Sequence, residues 1–184
     1  MRNLQNIFNK VKLDREDIIN LLSLESSEEI GILKSKAYET LKNYCGRKVW
    51  LRGLIEFSNI CVNDCYYCGI RKSNKNLNRY LLSKEEIINT ALWCAEKGFG
   101  SIVLQSGERK DKNFIDFVCN VVSEIKEQTI SDKLPNGLGV TLCIGEQDYN
   151  SYKKLFDSGA HRYLLRIETS NEELFREIHP SEQS

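Results

Sequence analysis

The chain has 184 residues, 41% of them apolar and 28% charged, which is typical of a folded globular protein and excludes a disordered or collagen-like chain. The 26 Lys and Arg residues balance the 26 Asp and Glu residues, so no net positive field would attract nucleic acid. The first ten residues lack the apolar core of a signal peptide, and no segment approaches the length of an apolar membrane span. We therefore expect a cytoplasmic protein, with neither nucleic acid nor a membrane as partner, whose seven cysteines stay reduced.

The segment from Asp14 to about Tyr44 has apolar side chains at spacings of three and four, the period of an amphipathic helix. Ile18 and Leu22 lie near the start of this pattern, and Leu41 lies near its end. We expect residues 1–48 to form an N-terminal helical cap.

Four runs typical of β-strands follow, separated by helical or loop sequence. The helix after the first run begins at Ser83-Lys84-Glu85-Glu86, a capping box that satisfies the free amides of a first helical turn. This alternation favours an α/β fold with a parallel sheet, either a (β/α) barrel or a doubly wound sheet. A barrel needs about eight strands, so residues 49–184 would form only the first half of one, apparently truncated. The predicted strands are Val49–Phe57, Ser101–Gln105, Leu138–Cys143 and Arg162–Ile167.

Side chains of a strand alternate between its two faces. Because helices cover the outside of a parallel barrel, a polar side chain within a strand is expected to point into the lumen or a site. Such residues lie near the C-terminal strand ends, where barrel active sites are built. The predicted helix-facing residues are Val49, Leu51, Ile55 and Phe57 in the first strand and Tyr163, Leu165 and Ile167 in the fourth. The predicted inward polar residues are Arg52, Glu56, Gln105, Thr141, Arg166 and Glu168.

Three cysteines with the spacing C-x3-C-x2-C follow the first predicted strand: Cys61, Cys65 and Cys68. Thiolates are suitable ligands for iron–sulfur clusters or zinc. Three of them on a short loop would leave the fourth iron of a cuboidal cluster open to a small molecule. A structural zinc site needs a fourth ligand, and neither His161 nor His179 lies at zinc-finger spacing. The spacing therefore favours a cluster, with a zinc module as the alternative.

The other four cysteines have no metal-ligand spacing. Cys94 and Cys119 occur in helical patterns beside apolar residues, where cysteine is commonly a small buried core residue. Cys143 has the parity of a lumen residue, yet core packing is the favoured role. Cys45 lies at a predicted helix exit and is expected to be structural.

The segment from Cys61 to Cys68 resembles the signature of radical S-adenosylmethionine (SAM) enzymes, in which an aromatic residue precedes the third cysteine. The resemblance implies a TIM-type barrel, of which this chain would contain about the first four βα units. It also implies that the three cysteines hold a 4Fe-4S cluster, that SAM chelates the fourth iron and that Tyr67 lies against the adenine. Reductive cleavage of SAM to methionine and a 5'-deoxyadenosyl radical is the implied reaction. A small-molecule substrate and an electron donor such as a ferredoxin or flavodoxin are the implied partners.

Two further segments resemble SAM-contacting motifs of this family. Gln105-Ser106-Gly107-Glu108 resembles its Gly-Gly-Glu motif, with Ser106 in place of the first glycine. Gly107 would let the backbone approach the methionyl ammonium, and Glu108 or nearby carbonyls would accept its hydrogen bonds. The segment from Leu165 to Thr169 resembles the strand whose polar groups contact SAM, with Glu168 suited to the ribose. The cofactor-binding residues implied in this way are Tyr67, Gln105, Gly107, Glu108, Arg166 and Glu168.

The runs 51–59, 103–108, 140–146 and 161–169 resemble the biotin-synthase-related branch, and most of all the FeFe-hydrogenase maturases of the HydE type. That resemblance implies hydrogenase maturation with a small iron-containing substrate. Biotin synthase and the methylornithine-forming enzyme are alternatives within the branch. A non-enzymatic iron–sulfur or zinc module and an inactive truncated relic are alternatives outside it. We expect the isolated chain to be a poor catalyst, because a half-barrel leaves SAM exposed to water.

Overall fold

The computed structural model describes residues 4–180, and the chain divides into two compact units between Trp50 and Leu51. The expectation about the first ten residues falls partly on residues 1–3, which lie outside the described residues. Between residues 4 and 180, no helix combines the length and the apolar character needed to cross a bilayer.

Within residues 4–50, the first unit contains three helices: α1 (Leu4–Phe8), α2 (Arg15–Leu22) and α3 (Ser27–Cys45). Asp14 caps α2, and Ser26 caps α3 by accepting from the amide of Glu29. The continuous helical pattern predicted from Asp14 to Tyr44 is therefore two helices, because a new cap begins after Leu22. None of the residues of α3 is buried within this structure.

The second unit alternates strands with helices. All its strands pair in parallel, in the order β1-β2-β3-β4, so each crossover joins neighbouring strands. This sheet confirms the predicted parallel α/β fold. Its elements are β1 (Gly53–Ser58), α4 (Lys84–Glu96), β2 (Ser101–Ser106), α5 (Lys112–Gln128), β3 (Gly139–Cys143), α6 (Tyr149–Asp157), β4 (Arg162–Tyr163) and α7 (Glu172–Ile178).

The capping box predicted ahead of α4 is present. The Ser83 amide donates to Glu86 Oε2 over 2.8 Å, and the Glu86 amide donates to Ser83 Oγ over 3.2 Å. Both bonds satisfy amides that have no partner within the helix. The start of α4 is thus encoded locally.

The first and fourth strands are shorter than predicted. Strand β1 begins at Gly53 because its ladder partner there is Ile102, and β2 itself begins only one residue earlier. Arg52 therefore lies ahead of the strand and not in the lumen, and Val49 and Leu51 are exposed instead of facing helices.

In β4 only the two residues Arg162 and Tyr163 pair with β3. Leu165 and Ile167, predicted to face helices, are 54% and 82% exposed. The physical reason is that β3 ends at Cys143, so the backbone beyond Leu164 has no strand to pair with.

The core lies between the sheet and helices α4, α5 and α6. Ile55 and Phe57 of β1 are buried and Glu56 is exposed, as the predicted alternation requires. Phe57 stacks on Phe114 of α5 with ring centroids 6.0 Å apart. The core also includes Cys94 and Cys119, which confirms their predicted role, and Ile87, Ala91, Leu104, Val118, Val122 and Ile125.

We predict that Phe57→Ala lowers the free energy of unfolding by about 3–5 kcal/mol, because it leaves a cavity beneath α5. Leu54→Ala is the matched control: Leu54 is in the same strand but 58% exposed, whereas Phe57 is 1% exposed. The control should change stability by about 0.5 kcal/mol or less. Urea unfolding followed by circular dichroism measures both, and equal midpoints for the two variants would contradict this packing.

Candidate cofactor site

A cavity of about 660 Å³ opens at the C-terminal ends of the strands, within the size range of small-molecule sites. Its walls come from the loops after all four strands and from the end of α7. The structure brings every predicted ligand and cofactor residue to these walls. They are Cys61, Cys65, Cys68, Tyr67, Gln105, Gly107, Glu108, Arg166 and Glu168.

The three candidate ligands lie on the loop that follows β1, and all three are partly buried cysteines that form no disulfide. The loop has little regular secondary structure, and hydrogen bonds to neighbouring segments add to the backbone bonds within it. The Val62 amide donates to the Glu108 carbonyl, and the Tyr66 amide donates to the Ile178 carbonyl, each over 2.9 Å. The ligand loop is thus fixed to the end of β2 and to the end of α7.

Gly107 makes the close approach between β2 and the ligand loop possible. A Cβ at this position would lie 2.5 Å from the Ile60 carbonyl oxygen and 2.7 Å from Cys61 Cβ. Both distances are far below van der Waals contact, so any larger residue would displace the first cysteine. The Gly107 amide also donates to the Ser58 carbonyl over 3.2 Å.

Three cysteine thiols on one loop are a donor set that suits an iron–sulfur cluster. Within residues 4–180, no three His, Cys, Asp or Glu side chains converge closely enough to hold one metal ion. A 4Fe-4S cluster does not require such convergence, because each thiolate binds a different iron. Burial raises the pKa of the Cys65 thiol, and binding to iron would remove that proton. The residues present therefore fit the cluster.

A polar layer crosses the sheet beneath the cavity, as the strand alternation predicts. Glu56, Gln105 and Cys143 are ladder partners on adjacent strands. Gln105 Nε2 donates to Glu56 Oε1 over 3.0 Å, and Arg166 Nη2 donates to Gln105 Oε1 over 3.1 Å. Buried Thr141 belongs to the same strand as Cys143, and its hydroxyl has no hydrogen-bond partner.

Cys143 is buried, in line with the core role that the sequence favours for it, and it also borders the cavity. The side chain is only 8% exposed, yet it forms part of the cavity wall. Burial raises the pKa of this thiol, while the neighbouring Arg166 acts in the opposite direction.

Glu108 joins the loops after β2 and β3. Its Oε2 accepts from the Glu146 amide over 2.9 Å, and its Oε1 lies 3.0 Å from Lys110 Nζ. The carboxylate packs on Gly145, where φ is +82° and a Cβ would lie 2.4 Å from the Glu108 side chain. Both oxygens thus already have partners within the chain, and any contact with SAM would be shared with them.

His179 is a cavity residue that the sequence analysis considered only as a zinc ligand. It is 7% exposed, and its ring stacks on Phe175 with centroids 4.0 Å apart. Nδ1 lies 2.9 Å from the Phe175 carbonyl oxygen, and Nε2 lies 3.3 Å from the Tyr67 hydroxyl. No spacing pattern could have indicated this contact, because the two residues are 112 positions apart.

Tyr67 is therefore held from one side by His179 and borders the thiols on the other. Partial burial raises the pKa of its phenol, and Cys65 and Glu168 act in the same direction. Glu168 lies exposed on the cavity wall. The predicted adenine and ribose contacts are thus close enough to interact with each other.

A sequence profile of the Radical SAM superfamily matches residues 55–183. The chain belongs to the radical SAM superfamily. It is 40% identical over 167 residues to the [FeFe] hydrogenase maturase subunit HydE of Thermotoga maritima, covering 90% of this chain and 45% of that protein. It is 31% identical over 169 residues to the biotin synthase of Macrococcus caseolyticus, covering 90% of this chain and 49% of that protein.

The crystal structure of a methylornithine synthase superposes with a TM-score of 0.76 at 30% identity, covering 96% of this chain and 50% of the other. The chain thus spans about half the length of the relatives it matches. Radical SAM homologues are enzymes that bind a 4Fe-4S cluster and SAM. The likeness confirms the predicted protein class and cofactors, and the four-stranded sheet corresponds to part of such a barrel.

We predict that Gly107→Ala lowers the iron content of the reconstituted protein, because overpacking of about 1–3 kcal/mol is relieved by moving Cys61. Gly100→Ala is the control, since a Cβ there would meet nothing within 4 Å. Iron and sulfide assays after anaerobic reconstitution compare the two variants. Equal iron in both would contradict the close approach.

We also predict that His179→Ala loosens the contact between α7 and the ligand loop. Loss of a hydrogen bond worth about 1 kcal/mol should speed amide exchange at Tyr66 about fivefold. His161→Ala is the control, because His161 is exposed and does not line the cavity. Hydrogen–deuterium exchange measures the effect, and unchanged protection in His179→Ala would show that the histidine does not fix the loop.

Proposed function

We propose that this chain carries the cluster- and SAM-binding part of a radical SAM enzyme. The observation that carries the proposal is that three cysteine thiols and six predicted SAM contacts line one cavity. Those residues lie in segments far apart in sequence, so only the fold brings them together.

Cys61, Cys65 and Cys68 would each bind one iron and leave the fourth accessible from the cavity. When bound, the cluster and SAM supply reductive cleavage of SAM to methionine and a 5'-deoxyadenosyl radical. The chain's own task is to hold SAM beside the cluster and to limit its contact with water.

The remaining cavity residues would orient SAM. Tyr67 offers a ring for the adenine, and Glu168 offers a carboxylate for the ribose hydroxyls. Gly107 leaves room at the backbone for the methionyl ammonium. Gln105 and Arg166 are already bonded to each other, so they would act as a fixed polar wall.

We further propose a HydE-like role in FeFe-hydrogenase maturation. The support is the 40% identity to the maturase, against 31% to biotin synthase, with each match covering 90% of this chain. The partners, in the cytoplasm, would then be a small iron-containing substrate and an electron carrier of the ferredoxin or flavodoxin class. Synthesis of biotin or methylornithine is the second candidate, favoured by the relatives of those names.

We propose that the chain alone cleaves SAM slowly, because one side of its cavity is open. Leu164, Leu165 and Ile167 line the cavity and are 41%, 54% and 82% exposed. Water therefore reaches the place where the family holds its cofactor.

The test is anaerobic reconstitution with iron and sulfide, followed by reduction and electron paramagnetic resonance with and without SAM. We expect a 4Fe-4S signal that shifts when SAM is added. Cys61→Ser should abolish the normal signal, because an iron loses its thiolate. Cys45→Ser is the control, since Cys45 is exposed and lies outside the cavity.

A colourless protein that binds zinc would contradict the proposed function. A cluster whose signal does not change when SAM is added would contradict the proposed SAM site, but it would not contradict the assignment of the three cysteines as ligands. Formation of 5'-deoxyadenosine as fast as by a full-length homologue would contradict the open cavity as a limit on rate.

A further inference from the structure

The guanidinium of Arg79 donates to four backbone carbonyl groups of the segment that contains the ligand loop. Arg79 is partly buried, and none of the salt bridges within residues 4–180 involves it. Its charge is thus directed at backbone oxygens. The acceptors are the carbonyls of Asn59 (2.6 Å), Ile70 (2.8 Å), Arg71 (2.6 Å) and Asn74 (3.2 Å).

These carbonyls lie on both sides of the cysteines. Asn59 precedes Cys61 by two positions, and Ile70 follows Cys68 by two positions. One side chain therefore joins the start of the ligand loop to its end. The loop between them has little helix or strand: backbone amides satisfy some of its carbonyls, such as that of Cys65, and the Arg79 side chain satisfies others.

Arg79 is itself held at the end of β1. The amide of the next residue, Tyr80, donates to Asn59 Oδ1 over 2.8 Å. The Tyr80 carbonyl accepts from Ser58 Oγ over 2.9 Å, and the Tyr80 hydroxyl donates to the Glu56 carbonyl over 3.0 Å. The guanidinium thus projects from a fixed backbone position.

Only arginine has the donors for this arrangement. Its planar fork carries five N–H groups in fixed directions, so Nη1 and Nη2 can each reach two carbonyls. A lysine has the same charge, but its three N–H donors are all on one nitrogen. The four contacts therefore require the planar guanidinium group, and a positive charge alone would not form them.

We propose that Arg79 is a positioning residue that holds the three-cysteine loop in its ligating conformation before and after the cluster is bound. It acts through the backbone and touches neither iron nor SAM. This inference rests on the proposed function, since it assigns a cluster to the loop.

The test compares Arg79→Lys and Arg79→Gln with Lys72→Gln. Lys72 is exposed on the same loop, so its variant removes an equal charge without removing a carbonyl contact of Arg79. Two measurements are made: amide exchange of residues 59–80 in the iron-free protein, and the rate of iron loss to a chelator after reconstitution.

In both Arg79 variants, the amides of residues 59–80 should exchange at least about fivefold faster than in the wild type, and iron should be lost faster by the same factor. Lys72→Gln should match the wild type in both measurements. The thermal midpoint of the helical signal should stay unchanged in Arg79→Lys, because Arg79 lies outside the core. Wild-type behaviour of Arg79→Lys in both measurements would overturn the proposal, and so would equal acceleration in Lys72→Gln. A wild-type protein that holds no cluster would instead refute the proposed function, and exchange in the iron-free loop would still test Arg79.

Discussion

The structure depends on one constraint: a loop without regular secondary structure must hold three thiols at fixed places. Backbone bonds within the loop, such as that from the Cys68 amide to the Cys65 carbonyl, satisfy some of its groups, and other parts of the chain satisfy others. Arg79 binds the carbonyls at both ends, and the carbonyls of Glu108 and Ile178 accept amides from the middle. The loop's position is therefore determined by β2, by α7 and by the segment before α4.

The parallel sheet supplies the rest of the site. Because all strands run in one direction, their C-terminal ends meet at one edge, and residues in ladder register form a layer across it. Glu56, Gln105 and Cys143 are such a layer, and Arg166 extends it beyond β4. The buried core under α4 and α5 holds the strands in place. The open polar edge remains available for a cofactor.

Much of this arrangement can be predicted from the sequence, because it depends on local patterns. The cysteine spacing, the capping box at Ser83 and the alternation in β1 each depend on residues a few positions apart. The ends of strands are harder to predict. Arg52 and Ile167 lack ladder partners on neighbouring strands, and no local pattern reveals this. The contacts of His179 with Tyr67 and of Arg79 with Asn59 were missed because they join residues 112 and 20 positions apart.

We propose that three cysteines hold a cluster whose fourth iron is open to SAM, and Mössbauer spectroscopy of protein reconstituted with iron-57 tests this proposal most directly. We expect SAM to change the signal of one iron in four and to leave the other three unchanged, because only one lacks a thiolate. Four irons that respond identically, or a spectrum that SAM does not alter, would contradict it.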